Sequence, residues 1–180
     1  MKRALAASPF LLVLGLTAAA LLRLQPAPIA INGGPEFTAR TREALRLLRL
    51  SAGFPEVRRF VAEIREARCS GMNVYAPHPT YDVGEPTWKA GALWYAGTIA
   101  HDAHHSRLYF EAKGSGKAEP EEAAWSGAEA EKKCLAVQYR VLAELRAPEV
   151  TLAYIRGLSV APTYQNIGAG KADPCDDRKW

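Results

Sequence analysis

The stretch from residue 88 to 111 constrains this chain most, because it reads as one long helix with little polar surface to spare. At about 100° per residue, Trp94, Gly97, His101, His105 and Leu108 fall on one face, while Ile99 and Ala100 point elsewhere. A helix apolar over much of its circumference has to be enclosed by other elements. The rest of the chain can do this. Of 180 residues, 48% are apolar and 23% charged, which is a globular composition with room for one ordinary domain plus a tail or anchor. It excludes a wholly disordered, collagen-like or multi-span membrane protein.

The flanking segments supply candidate partners. Residues 37–50 are rich in helix formers, with Leu45 and Leu48 on one side, and Gly53 ends them. Pro55 is placed for the first turn of a second helix reaching about residue 65, with Phe60, Val61 and Ile64 inward. Residues 72–75 and 80–83 are short strand-like pieces around Pro77-His78-Pro79. Thr87 is a candidate cap for the long helix, and Gly91 and Gly97 weaken its first half. Another helix is expected over 126–145, with Ser126 at N-cap and Glu129 three residues on as a capping box, the alternative being a start at Pro120 that would remove the box. Pro148 opens a last short helix to about residue 156. The expected fold is α+β, mainly helical, with a small β-element and one domain over 31–160. Residues 161–180 read as an irregular tail.

Residues 1–30 read as a leader. Met1-Lys2-Arg3 is a short positive start, and residues 4–22 carry no charge. This is the pattern of a secretory signal peptide or a single N-terminal membrane anchor, in bacterial-type export. Ala18-Ala19-Ala20 offers small residues for cleavage, and the apolar run continues through Leu21 and Leu22. Lys2 and Arg3 would stay inside and send the remainder outward, so the domain is expected to be periplasmic, secreted or membrane-anchored. Three of the 23 basic residues lie in this leader, which leaves 20 against 19 acidic ones. The net charge of +4 is therefore largely the leader's, and no nucleic-acid partner is expected. An exported chain can hold a disulfide. Of Cys69, Cys134 and Cys175, the pair Cys69–Cys134 is favoured, since both fall in segments expected to be ordered.

The chemistry concentrates in His101-Asp102-Ala103-His104-His105. His101 and His105 stand one turn apart on the same face, placed to bind one metal ion. Two histidines leave a zinc ion short of a third protein ligand. The next helix offers one. Leu135, Gln138, Leu142 and Leu145 form its inward stripe, and Glu131 falls on that stripe, whereas Glu129 falls on the polar side. A buried acid is costly unless it is paired or bound to a cation. Gly97, one turn before His101, could leave room beside the imidazole, although close packing against a neighbouring helix is the more ordinary use of such a glycine. His104, Gln138 and Tyr109 are further candidates: His104 as an outer or substrate group, Gln138 as an amide orienting a ligand, and Tyr109 as an oxyanion donor.

These residues resemble the His-Glu-x-x-His motif of zincin metallopeptidases, with aspartate in place of glutamate. A glutamate ligand on the following helix is the gluzincin arrangement. The resemblance covers about residues 88–145 and implies a zincin-like active-site helix pair. It implies one zinc ion held by His101, His105 and Glu131, with Asp102 as the base that activates the water on zinc. The implied function is an exported zinc metallohydrolase acting on peptide or protein substrates, with residues 72–83 offering an edge strand to an extended peptide. Asp102 is one methylene shorter than the motif's glutamate, so a catalytically degenerate metal-binding or partner-binding protein of the same fold is the alternative. His101-Asp102 also resembles the metal-binding pair of HD-domain phosphohydrolases, which need an earlier helical histidine and a later helical aspartate as well.

Overall fold

The computed structural model describes residues 27–114 and 118–159. The leader up to residue 26, the tail beyond residue 159 and Cys175 lie outside the described residues. The protein is α+β and mostly helical, with one small sheet. The elements run β1 (Ala30–Asn32), α1 (Pro35–Leu48), α2 (Phe54–Phe60), β2 (Glu63–Glu66), β3 (Gly71–Asn73) and β4 (Thr80–Val83). There follow α3 (Glu85–Lys89), α4 (Ala92–Lys113), α5 (Ala123–Ser126), α6 (Ala128–Glu144) and α7 (Glu149–Ser159). No helix among the described residues is long and apolar enough to cross a membrane.

The sheet order is β1-β2-β4-β3. β1, β2 and β4 are parallel, and β3 runs antiparallel on the outer edge of β4. The register lines up Ile31, Ile64, Tyr81 and Met72 across all four strands. Side chains at one register position share a face of a sheet, and this row joins the core that α1, α4 and α6 complete through Phe37, Leu48, Ile99 and Val141. A second apolar cluster, Leu135, Leu142, Leu152 and Ile155, seats α7 on α6.

Helix α4 is the enclosed helix expected from the sequence: Tyr95, Ala96, Ile99 and Ala103 are fully buried, and helices and strands pack on it from several sides. Its start differs from expectation. Gly91 adopts φ of +108°, a conformation that side-chain-bearing residues rarely take. The break there separates the short α3 from α4, so Thr87 lies inside α3 and its hydroxyl meets Ser70 at 2.6 Å. The second expected helix stops at Phe60. Val61 is extended (φ −126°, ψ 115°), and the segment expected to continue the helix becomes β2. Two-sided pairing with β1 and β4 satisfies its backbone, and Ile64 is buried in the sheet's central row. β1 was not expected at all. The capping box at Ser126 is not formed either. Ser126 ends α5, Gly127 is the N-cap of α6, and Glu129 pairs with Lys132 at 2.6 Å.

Candidate metal centre

Helices α4 and α6 lie close together because Gly97 has no side chain. A Cβ there would stand 3.0 Å from Leu142 Cγ and 3.2 Å from Gln138 Cγ. Close packing, and not space beside the imidazole, is what this glycine provides. Gln138 is buried in that contact.

One turn further along α4, the approach brings four side chains together. Nε2 of His101 and Nε2 of His105 are 3.1 Å apart. Glu131 reaches both from α6, with Oε1 3.2 Å from His101 Nε2 and Oε2 3.1 Å from His105 Nε2. The two imidazoles, Glu131 and Cys134 are all buried. His101, His105 and Cys134 form a group that could hold a metal ion, each offering a ligand atom within 4.8 Å of the others. Cys134 is a free thiol, whereas Cys69 is disulfide-bonded. The expected Cys69–Cys134 bridge is thus not formed, because α6 turns Cys134 inward to the histidines.

The donor set fits a metal ion. For a tetrahedral ion with bonds near 2.0–2.1 Å, neighbouring ligand atoms lie roughly 3.3 Å apart. The separations between the Nε2 atoms and the Glu131 carboxylate oxygens are 3.1–3.2 Å. Nδ1 of His105 lies 2.6 Å from the carbonyl oxygen of Trp125, to which it donates. That bond fixes the tautomer and leaves the Nε2 lone pair for a cation. Oε1 of Glu131 is buried beside His101 Nε2 without a well-directed hydrogen bond, the kind of acceptor that a cation would satisfy.

The electrostatics ask for positive charge. Burial pushes the Glu131 carboxyl up, but the two imidazoles outweigh it and hold Glu131 well below the usual carboxylate range. Burial likewise pulls His105 down, and its contacts with Cys134 and Glu131 more than reverse this, so its imidazole lies well above its ordinary value. Burial raises the Cys134 thiol against the opposing pull of His105. With no other cation present, the pocket favours a proton on His105.

The other candidate residues go elsewhere. Asp102 is buried on α4 and interacts with the hydroxyl of Tyr81 from β4. Burial and then the Asp102 charge raise Tyr81 well above the usual phenol value, so Tyr81 stays protonated and donates. His104 leaves the cluster for α2, where its Nδ1 is 2.6 Å from Glu56 Oε1. The hydroxyl of Tyr109 is bonded to Glu119 and to Lys113. Its ring packs edge-on against Trp125 at 5.6 Å, so Tyr109 supports α5 and offers the cluster no donor. His78 lies 2.8 Å from Glu63 and does not serve as the earlier helical ligand an HD-type site requires. The sequence favours Cys134 as a half-cystine or small core residue over a zinc ligand beside Glu131. Its spacing of three from Glu131 was the available signal that both share a face. Nothing in the sequence marked the Trp125 carbonyl, since any residue carries one.

No family model, curated protein or solved structure matches the chain.

Proposed function

We propose that this protein is an exported zinc-binding protein of gluzincin-like arrangement, with hydrolysis of peptide bonds as the chemistry its site is laid out for. The observation that carries this reading is the convergence of His101, His105 and Glu131 at metal-ligand separations from two different helices. One zinc ion, when bound, supplies Lewis-acid activation of water and of a carbonyl group. His101 and His105 from α4 and Glu131 from α6 would hold it, and the Trp125 carbonyl keeps His105 in the competent tautomer. Asp102, next to His101 in the sequence, would be the group that accepts a proton in this reading. β3 is an antiparallel edge strand packed near α4, and its free side suits an extended peptide. The uncharged run at residues 4–22 supports export, with membrane attachment if the segment is retained.

One observation favours a second reading, metal binding without hydrolysis. Tyr81 engages the Asp102 carboxylate, which is already a methylene shorter than the glutamate of zincins. Metal content of the purified full-length chain, measured by mass spectrometry beside the His101→Ala/His105→Ala variant, tests the shared premise. About one zinc per chain, lost in the variant, is expected; no metal in either after zinc addition overturns both readings. Peptide hydrolysis that appears or rises in Asp102→Glu supports the hydrolase scaffold. An Asp102→Glu chain that binds zinc and still cleaves nothing supports the second reading.

A further inference from the structure

We infer that Cys134 is the fourth protein ligand, so that the ion sits in a closed site of His101, His105, Glu131 and Cys134. This rests on the reading that the cluster binds a metal, and it decides what kind of site it is. Each helix contributes two donors: α4 gives His101 and His105 at a spacing of four, and α6 gives Glu131 and Cys134 at a spacing of three. Both spacings put the pair on one helical face. Cys134 is wholly buried, is not in a disulfide, and interacts directly with His105. Its sulfur and the two imidazoles lie within 4.8 Å of one another. A zinc ion would leave roughly 3.6 Å between sulfur and nitrogen, so a small side-chain rotation closes the site.

Charge balance gives an independent argument. A divalent ion with two neutral imidazoles and one carboxylate leaves a net positive charge in a buried pocket, and buried net charge is costly. Deprotonated Cys134 brings the sum to zero. Binding breaks the S–H bond, forms a sulfur–metal bond and releases the thiol proton to solvent, with no change of oxidation state. A thiolate in the set also selects zinc or cobalt over magnesium or calcium. Four protein ligands fill a tetrahedral ion and leave no position for water, whereas hydrolytic zinc sites keep one open. The resting site is therefore structural or latent, and peptide chemistry needs Cys134 to leave.

The test is titration of the full-length, metal-free chain with cobalt(II), followed by absorption spectroscopy, beside Cys134→Ser and Cys134→Ala. The expected result is intense visible bands of a four-coordinate ion together with a thiolate-to-cobalt charge-transfer band in the near ultraviolet. The charge-transfer band should vanish in both variants while the visible bands persist in altered form. Cobalt bound to the native chain without the charge-transfer band overturns the inference and leaves the metal site standing. A charge-transfer band that survives in a folded Cys134→Ser chain overturns it equally, by assigning the sulfur to another cysteine. If neither cobalt nor zinc binds the native chain, the inference and the proposed function fail together. If both variants fail to fold, the native spectrum remains decisive: Cys69 is held in a disulfide, so a charge-transfer band supports the inference and its absence overturns it.

Discussion

Helix α4 carries two acid-bridged pairs on different faces, and they differ in one chemical respect. Glu131 spans His101 and His105, at 3.2 Å and 3.1 Å. Glu56 spans His104 and Arg107, at 2.6 Å and 2.9 Å. Both carboxylates lie below their ordinary range; in each, burial alone would raise them and the bridged partners win. Yet Arg107 is permanently charged and brings its own cation, so the Glu56 bridge is complete as it stands. The Glu131 bridge contains only imidazoles, and its positive charge has to be supplied by a proton or a metal ion. The bridging geometry is shared; the presence of a fixed cation separates a clamp between α2 and α4 from a site that has something left to bind.

Substitutions can break this comparison. The largest expected effect is on zinc affinity in His101→Ala or His105→Ala, which should fall by more than the roughly 10–100-fold typical of losing an outer-shell partner. Competition with a chromogenic chelator measures it, and Glu56→Gln in the same assay should show no loss. Equal losses in both would erase the distinction. Next is Gly97→Val. It should destabilise the fold by about 1–3 kcal/mol in urea titration by overpacking against Leu142, and it should weaken zinc binding as α4 and α6 separate. Glu56→Gln should cost about 1 kcal/mol of stability, because Arg107 is partly exposed and solvent takes up some of its loss.

The smallest effect is one of pH. Because the folded Glu56 carboxyl lies below its ordinary value of 4.5, it binds its proton less readily than the unfolded chain does. Its contribution is fully present above about pH 4.5 and is lost as the pH falls through the lower folded value. The stability difference between wild type and Glu56→Gln should therefore be constant near neutrality and shrink on acidification. A difference that grows in acid would show that the carboxylate is not held by His104 and Arg107.

The sequence made one of these two bridges legible. Helical phase alone put His101, His105 and Glu131 on facing stripes, because the histidines lie well inside α4 and Glu131, in the first turn of α6, heads a stripe that Leu135, Gln138 and Leu142 continue. Glu56 could not be matched to His104 and Arg107 in this way, because the angle between α2 and α4 is set by tertiary packing. The strands divide likewise. β4 and the edge strand β3 flank a proline-marked turn that signals them, whereas β1 and β2 exist as strands through their pairing with neighbours. Glu63–Glu66 has helical neighbours before it, and only the slot between β1 and β4 makes it extended. Cys134 was visible as a small inward residue beside Glu131, but its nearness to the two histidines was not, since three cysteines left a disulfide open as its use.

The enclosure of α4 has a consequence for how the chain is made. Elements reach the outside of the ribosome in order, and β1 through β4, with α1 and α2, precede α4. The face of α4 turned toward the sheet can be covered as soon as the helix forms. The face bearing His101 and His105 must wait for α6, the last of its wrappings that carries Glu131 and Cys134. During that interval the nascent protein exposes an apolar stripe and two imidazoles that lack Glu131 and Cys134, so a transcript truncated between α4 and α6 would yield a sticky, site-less fragment rather than a smaller working domain.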